Sequence, residues 1–589
     1  MDSRLLIILA FLAVLSIPSF AAIDPVMVSS MRVQVDQAVQ ISTTGNVNTL
    51  TVNLMAPQED AFQKVESVDV SVPYETATDA YGNRMTKVTL NNPSSKTGFT
   101  VRTILTVSRR NDATVPNNPI FSQPTSMIQS SDPAIVALAT DTTAGTADDF
   151  EKTAAIANWV NGNIRYDTAY ADVNLSAKTT LDQKAGVCDE FSALTMAMLR
   201  SIGYKAAYTV GYAYGRGYTI ADDFVPHGWV EACSDKNCYP VDSTWGEAGW
   251  LDASHIKFAE LPENYYVEAS VVAKGTGAIS QPKIDSVTTK ITILGSEETP
   301  LIKTQLSLLK GSVWDGYAVT KTDLSTDSCV FTKVRFGGCL RNQKTFLAPD
   351  YNETGVAFCG GKTVFMPYKI PGDLNGGSIY TCGLVSSPNG GEQKTIEVTL
   401  DPKEKNARPP ALGVDRTAVK PGETVTANAA GAQLFTSNGG YGTDSLSVTA
   451  PAKDFIIYAY LNGQLAEQPI SVASSRPIEL KLTAPASVKL GETANVSVEA
   501  RNIDTKDRTV NVRLGNETRG GTLLAGKAIT YLFTFKPNGD DRVVQAFAES
   551  EGFSTSTSAP ITVIAPDKNL LDQIIEAITG FLDSLFGVH

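Results

Sequence analysis

Three residues in the middle of the chain have side chains that could together make and break an acyl bond. Cys188 opens a predicted helix, and His227 and Asp242 lie on the two arms of a predicted hairpin. A cysteine, a histidine and a carboxylate are the nucleophile, the general base and the orienting group of many acyl-transfer sites. We therefore take Cys188, His227 and Asp242 as the candidate catalytic residues.

The segment after Cys188 has the spacing of a buried helix. Its apolar residues recur at Phe191, Leu194, Met198, Leu199 and Ile202, and Gly203 is the predicted end. Free backbone N–H groups at a helix start stabilise a thiolate and could receive an oxyanion. We therefore expect Cys188 to ionise readily. The alternative for a lone cysteine is a small, inert and buried apolar side chain.

The hairpin is predicted from the two cysteines beside its loop. If Cys233 faces Cys238, the pairing places His227 and Asp242 on one sheet face as diagonal neighbours, about 7–8 Å apart at the backbone. A shift of one residue would move one of them to the other face. A disulfide between Cys233 and Cys238 would therefore hold the histidine beside its carboxylate.

The chain has seven cysteines. In an oxidising compartment, six of them are expected to form three disulfides. Cys233 and Cys238 make one predicted pair, and the other four lie in one β-rich stretch and allow three connectivities: Cys329, Cys339, Cys359 and Cys382. Cys188 is then the free thiol.

Four further expectations concern the surroundings of these residues. Trp229 and Trp245 border the candidate site and either line a substrate groove or pack in the core. His255 is interpreted as a surface or packing residue. No metal site is predicted, because one thiol, one histidine and one aspartate fall short of a four-ligand zinc set. No cofactor is predicted, and calcium dependence is left open.

Similarity to a known family is carried by three segments: Gly186-Val187-Cys188-Asp189-Glu190-Phe191-Ser192, His227-Gly228-Trp229-Val230-Glu231 and Pro240-Val241-Asp242-Ser243-Thr244-Trp245. They resemble the core of the transglutaminase-like superfamily over about residues 126–262. The resemblance implies a papain-like α+β fold in which Cys188 is the nucleophile, His227 the base and Asp242 the orienting residue. It also implies an acyl-enzyme thioester, which water or an amine then resolves.

Composition excludes some functions and favours a mostly β architecture. The 589 residues carry a net charge of −13, which argues against sequence-independent binding to nucleic acid. Only 19% of residues are charged, and 45 glycines and 29 prolines favour strands joined by turns. The predicted fold is multidomain and mostly β, with a central α+β papain-like transglutaminase core flanked by an N-terminal β domain and C-terminal immunoglobulin-like β-sandwiches.

Changes in composition and residue periodicity along the chain predict seven segments. They are a signal peptide (1–21), an N-terminal β domain (23–125), the transglutaminase-like core (126–262), a disulfide-containing β domain (270–402), a small β-sandwich (411–475), an immunoglobulin-like β-sandwich (476–565) and an amphipathic helix (567–589). The two sandwiches are suggested by an echo of Val419-Lys420-Pro421-Gly422-Glu423-Thr424 in Val488-Lys489-Leu490-Gly491-Glu492-Thr493.

The two ends of the chain predict its location. Residues 1–21 have the short n-region, apolar run and small residues of a secretory signal peptide; the alternative is an uncleaved membrane anchor. Either reading predicts a secreted or cell-surface protein. The C-terminal helix either packs on a neighbouring domain or on a copy of itself, or associates with the membrane or cell envelope.

Several functions are compatible with these features. The leading hypothesis is a secreted cysteine-dependent enzyme that acts on peptide or isopeptide amides of a protein or peptide substrate, with water as acceptor. One alternative is a protein-glutamine cross-linking transglutaminase, which includes cross-linking to a lysine of its own chain. Another is a structural or adhesive surface protein with an inert core.

Overall fold

A computed structural model describes residues 23–146, 148–215, 223–276, 282–341, 344–404, 408–437, 439–472, 478–502, 507–538, 543–550 and 553–564. The predicted signal peptide and C-terminal helix lie outside these residues. No helix in the described part is long and apolar enough to cross a membrane. The chain divides into two compact units, residues 1–177 with 186–472, and residues 178–185 with 473–589.

Four α-helices, all in the middle of the chain, are present among the described residues: α1 (Pro133–Thr142), α2 (Asp149–Asn163), α3 (Ala177–Gln183) and α4 (Cys188–Ser201). Local signals start the first two. Asp132 accepts backbone N–H bonds ahead of α1, and Asp148 does the same for α2. Gly203, with φ of +96°, follows α4, as the sequence predicts for a helix end.

The N-terminal strands alternate buried and exposed residues. They are β1 (Val28–Ser42), β2 (Asn46–Met55), β3 (Gln63–Val70), β4 (Tyr74–Thr78), β5 (Arg84–Asn91) and β6 (Lys96–Ser108). Antiparallel pairing joins β1 to β6, β6 to β3, β2 to β5 and β5 to β4. Valines and leucines from the inner faces form the core of this part, as period-two alternation predicts.

The core strands are β7 (Arg165–Tyr166), β8 (Ala185–Gly186), β9 (Lys205–Tyr214), β10 (Phe224–Cys233), β11 (Cys238–Asp242), β12 (Glu247–Ala248) and β13 (Ile256–Leu261). Five of them lie side by side in the order β13-β9-β10-β11-β12. Helix α4 packs on β10 and β9, and α1 and α2 pack on α4. Cys233 pairs with Cys238 and Val230 with Val241, which confirms the predicted hairpin register.

Two strands beyond the core return to the N-terminal part of the chain. They are β14 (Ala269–Thr276), which pairs with β2, and β15 (Lys283–Glu298), which pairs with β1. The sequence prediction assigns residues from 270 onward to the next domain. The structure instead pairs these two strands with the N-terminal ones, so the N-terminal β structure draws strands from both sides of the core.

The next segment extends the core sheet. Its strands are β16 (Lys303–Leu308), β17 (Ser312–Val313), β18 (Tyr317–Gly337), β19 (Cys339–Arg341), β20 (Lys344–Leu347), β21 (Glu353–Lys369), β22 (Tyr380–Pro388) and β23 (Lys394–Leu400). Ala248 on β12 pairs with Phe331 on β18, so one sheet runs through both segments. Disulfides Cys329–Cys359 and Cys339–Cys382 select one of the three possible connectivities, and Cys233–Cys238 is formed as predicted.

Two further β modules follow. The first contains β24 (Gly413–Val414), β25 (Ala418–Val419), β26 (Thr424–Thr436), β27 (Tyr441–Thr449), β28 (Phe455–Leu461) and β29 (Gln464–Val472). The second contains β30 (Ile478–Thr483), β31 (Ser487–Lys489), β32 (Ala494–Asn502), β33 (Arg508–Leu514), β34 (Glu517–Leu523), β35 (Ala528–Phe535), β36 (Val543–Ser550), β37 (Phe553–Pro560) and β38 (Thr562–Ile564).

The sequence echo occupies the same place in each module. Val419 pairs in parallel with Val472, in the last strand of the first module. Val488 pairs in parallel with Val563, in the last described strand of the second. The echo is therefore a structural repeat, while the immunoglobulin-like type of the two modules stays a prediction.

Candidate active site

Cys188 is held at the first position of α4 by its neighbours in sequence. The Glu190 carboxylate accepts the backbone N–H groups of Val187 and Leu175, each at 2.9 Å. A methyl group on Gly186 would collide with the Glu190 side chain, so a glycine is required there. These contacts fix the turn that leads into the helix and hence the direction of the cysteine side chain.

The Cys188 thiol is free and buried, and it is not poised to ionise in this state. It donates to Asp189 Oδ1 at 3.5 Å, and the backbone N–H of Gly228 donates to its sulfur. Burial, followed by the negative charge of Asp189, raises the pKa of the thiol well above its usual value. The expectation of a readily formed thiolate is therefore wrong, because loss of water and a neighbouring carboxylate outweigh the helix start.

His227 and Asp242 meet as the hairpin register predicts. His227 Nε2 lies 2.8 Å from Asp242 Oδ2, and both side chains are buried. The other oxygen of Asp242 accepts the backbone N–H groups of Thr244 and Trp245 at 2.8 and 3.3 Å. Burial opposes the charge of Asp242, but the adjacent histidines overcome it and hold the pKa of this carboxyl far below its ordinary range. Asp242 is thus a fixed and ionised partner for the imidazole.

Helix α4 and strand β10 bring the cysteine to this pair. Ser192 Oγ, one turn after Cys188, donates to the backbone oxygen of Gly228 at 3.1 Å. Gly228 is the residue after His227, and its own N–H reaches the sulfur. Within the described contacts, the hydrogen-bond partners of the sulfur are thus Asp189 and Gly228 rather than the His227 ring. The structure joins His227 to Asp242 directly and places Cys188 against the backbone beside His227.

His255 is part of the site, which corrects its interpretation as a surface or packing residue. It is only 1% exposed, and its Nε2 lies 3.4 Å from the same Asp242 oxygen that contacts His227. It immediately precedes strand β13, which pairs with β9 on the side away from β10. The sequence prediction missed this contact because β13 has no local pairing signal that links it to the hairpin.

The two tryptophans have different positions. Trp245 stacks on the His227 ring, with centroids 4.3 Å apart and planes at 10°. It also lines a cavity of about 500 Å³. Trp229 is fully buried and is not among the residues that line this cavity, so its environment is that of a core side chain.

The remaining walls of the cavity come from distant parts of the chain. Residues on its surface include Asp24, Tyr214, Gly215, Lys333, Arg335 and Asn389. Lys333 also contacts Asn161, whose amide donates to the backbone oxygens of Ser243 and Thr244. The sequence prediction missed Lys333 and Arg335, because only the pairing of β12 with β18 brings them beside Trp245.

Two groups of three side chains near Asp242 offer possible metal ligands. In the first, His227, Asp242 and His255 each place one ligand atom within 4.8 Å of the others. Ligand atoms of a tetrahedral zinc ion are about 3.3 Å apart, given bonds of about 2.0 Å. The 2.8 Å separation of His227 from Asp242 is instead that of a hydrogen bond. In a second group, Glu247, Asp252 and His255 also place one ligand atom each within 4.8 Å of the others. Neither group includes the Cys188 sulfur.

One family model matches the part of the chain that carries this site. The model of the transglutaminase-like superfamily matches residues 136–250, a range that contains Cys188, His227 and Asp242. An uncharacterized protein of Mycobacterium leprae (strain TN) is 26% identical over 114 residues, which are 19% of this chain and 36% of that protein. This chain therefore aligns with little more than a third of that relative.

Solved structures that are similar to parts of this chain include the following two. A candidate cysteine protease from Cytophaga hutchinsonii is 19% identical, with 46% of this chain and 93% of that chain covered and a TM-score of 0.35. The transglutaminase of red sea bream is 10% identical, with 90% and 95% covered and a TM-score of 0.17. Because the superfamily model matches their sequence, residues 136–250 of this chain form a transglutaminase-like core.

Proposed function

We propose that this protein is a cysteine-dependent acyl-transfer enzyme that cleaves peptide or isopeptide amides, with water as the acceptor. The observation that carries the proposal is the hydrogen bond of 2.8 Å between His227 and ionised Asp242, with Cys188 packed against the next backbone unit. These are the nucleophile, the base and the orienting carboxylate of acyl-transfer chemistry.

The reaction follows from the roles of these groups. His227 takes the thiol proton as the sulfur attacks the amide carbonyl, and a carbon–sulfur bond forms. Backbone N–H groups at the start of α4 are the proposed donors to the oxyanion. His227 then gives the proton to the departing amine as the carbon–nitrogen bond breaks. Water attacks the thioester, loses a proton to His227, and releases the acid and the free thiol.

Burial of the thiol determines how this cycle starts. Because the resting thiol is neutral, substrate entry and proton transfer to His227 must accompany its attack. The cavity beside Trp245 is a suitable place for the substrate chain, since Trp245 stacks on the general base. Its wall carries the polar and charged groups of Tyr214, Lys333 and Arg335, which can bind peptide carbonyls or carboxylates.

Location is part of the proposal. The three disulfides favour an extracellular environment. We infer that residues 1–21 direct secretion and that residues 567–589, the predicted amphipathic helix, hold the protein at the cell surface or envelope. Fractionation of cells that express the chain with and without residues 567–589 tests this inference, because loss of the helix should release the protein into the medium.

A library of glutamine-containing peptides and a labelled primary amine, with and without calcium, tests whether water or an amine accepts the acyl group from the thioester. Hydrolysis is expected to give free acids and ammonia or new peptide ends, with little amine incorporated. Cys188→Ala is the matched control, and it should abolish all products. Amine incorporation that depends on Cys188 would instead support a cross-linking transglutaminase, and a loss of ammonia from the intact chain would support self-cross-linking.

An inert structural core is the alternative from another class. Iodoacetamide alkylation of Cys188 near neutral pH separates the two, with His227→Ala as the comparison. An active pair predicts alkylation that falls at least tenfold in the variant. Slow labelling that ignores the loss of His227 would favour a scaffold role for residues 126–262.

A further inference from the structure

We propose that His255 is a positioning residue for the candidate catalytic site, because it donates its Nε2–H to the Asp242 oxygen that also binds His227. The two contacts with Asp242 Oδ2 are 3.4 Å from His255 and 2.8 Å from His227. This inference rests on the proposed function and adds a fourth side chain to the catalytic residues.

The surroundings of His255 decide where its proton lies. Its Nδ1 faces the backbone oxygen of Asp252 at 3.3 Å, and its Nε2 faces the carboxylate of Asp242. Both neighbours only accept hydrogen bonds. A carboxylate is the stronger acceptor because it is charged, and the Asp242 oxygen at 3.4 Å from Nε2 is nearer than the Asp252 carboxylate oxygen at 3.7 Å from Nδ1, so the proton of a neutral imidazole belongs on Nε2. The hydrogen bond to Asp242 is therefore the one that His255 makes in either protonation state.

The ring of His255 is held rigidly by two tryptophans. Its centroid lies 5.2 Å from that of Trp229 and 5.1 Å from that of Trp245, with the planes at 86° and 70°. Trp245 in turn stacks on His227. Fully buried Trp229 thus has a structural role, since it fixes the ring that orients Asp242. Edge-to-face contacts of this kind favour one ring orientation.

The charged groups that face His255 come from four elements. Asp242 ends β11, His227 lies on β10, and Glu247 lies on β12. Asp252, in the turn before β13, places its Oδ1 3.7 Å from Nδ1. The charge of Glu247 also acts on the Arg109 guanidinium. Acidic groups thus outnumber fixed cations around His255, which favours a donor at this position.

Sharing of one oxygen has a measurable consequence. Asp242 receives two backbone N–H bonds on Oδ1 and faces two imidazoles on Oδ2. Part of the negative charge of Asp242 therefore interacts with His255 rather than with His227. Without the second donor, the whole carboxylate charge would act on His227, and the hydrogen bond between these two side chains would strengthen.

The test uses two variants that separate the donor from the ring. His255→Phe keeps an aromatic ring between the tryptophans but has no donor. His255→Gln keeps an N–H donor near the Nε2 position but has no ring. The chain has only three histidines, so a full-length protein labelled with [13Cε1]histidine gives three signals, which His227→Ala helps to assign.

The chemical shift of the His227 signal at one fixed pH is the measurement. We expect it to change in His255→Phe, where the second donor to Asp242 is lost, and to stay close to that of the natural protein in His255→Gln. A His255→Phe protein with an unchanged His227 signal would overturn the proposal. So would a pattern in which only the glutamine variant differs, which is the mark of a packing role.

A measurement on the unaltered protein covers the case of a variant that does not fold. The 15N shifts of His255 report which nitrogen carries the proton, and we expect a protonated Nε2. A bare Nε2 would overturn the proposal without any variant. None of these readouts needs turnover, so an inert Cys188 would defeat the proposed function and leave the role of His255 to be decided by the spectra.

Discussion

Tyr208 donates its hydroxyl to Asp189 Oδ1 at 2.6 Å, and the same oxygen accepts the Cys188 thiol at 3.5 Å. Tyr208 is buried on β9, and Asp189 is the residue after the candidate nucleophile. The Asp189 carboxylate is thus held in place by one neighbour while it bonds the thiol. This arrangement keeps the buried thiol protonated until another group takes its proton.

Replacement of Asp189 by Asn should lower the pKa of the Cys188 thiol. Burial remains as the largest cause of the raised pKa, but the charge of Asp189 and its bond to the thiol are lost. We expect the thiol to ionise at a lower pH than in the natural protein, measured by iodoacetamide labelling as a function of pH. Tyr208→Phe is the contrasting variant. It removes the hydrogen bond that stabilises the Asp189 carboxylate, so the Cys188 thiol should ionise at a higher pH. Identical profiles in both variants would contradict this assignment.

Gly228 should not tolerate a side chain. A methyl group there would collide with the ring and hydroxyl of Tyr208, and the Gly228 N–H is the group that bonds the Cys188 sulfur. Gly228→Ala should therefore reduce Cys188-dependent turnover at least tenfold. Gly162→Ala is the control on the exposed side of α2, where the added methyl meets nothing within 4 Å, and it should keep full activity. Equal activities would argue against a tight contact at Gly228.

The Cys233–Cys238 disulfide should stabilise the hairpin locally. It closes a short loop, with a sequence separation of 5, and its loss is expected to cost about 2 kcal/mol. Hydrogen exchange of the β10 and β11 amides in a Cys233→Ser, Cys238→Ser variant measures this cost. Removal of the Cys339–Cys382 disulfide by replacing both of its cysteines with serine should leave hydrogen exchange in the hairpin unchanged. Equal protection of β10 and β11 with and without Cys233–Cys238 would show that sheet pairing alone holds the hairpin.

Glu190 should make the fold less stable as pH rises. Burial raises the pKa of its carboxyl to about 7, above the ordinary value of 4.5. The folded state therefore binds a proton that the unfolded state releases, and stability falls between about pH 4.5 and 7 by up to about 3 kcal/mol. Glu190→Gln cannot ionise and should remove this part of the pH dependence. Thermal unfolding from pH 4.5 to 8 measures it, and parallel curves for the two proteins would contradict the raised pKa.

Local features of the site were predictable from sequence, because each depends on neighbours a few residues away. The register of Cys233 with Cys238 needs only a four-residue loop, and it leads to the contact of His227 with Asp242. The start of α4 at Cys188 likewise follows from helical periodicity. The mostly β architecture follows from alternation and from abundant turn residues.

Features that depend on distant packing were not predictable. His255 meets Asp242 only because β13 lies on the far side of β9, and periodicity carries no information on that order. Lys333 reaches the cavity only through the pairing of β12 with β18. The raised pKa of Cys188 has the same origin, since desolvation depends on every element that covers the thiol. Closeness in sequence predicts which residues pair within the hairpin. The burial and the distant neighbours of those residues depend on the assembled sheet.

Cys188 is proposed to form an acyl-thioester with the help of His227. The mass of the full chain after brief exposure to an activated acyl ester, followed by acid quenching and peptide mapping, tests this step. We predict one acyl group on Cys188, formed at least tenfold more slowly in His227→Ala and absent in Cys188→Ala. Acylation elsewhere, or on Cys188 at the same rate without His227, would show that these two residues do not act as a nucleophile and its base.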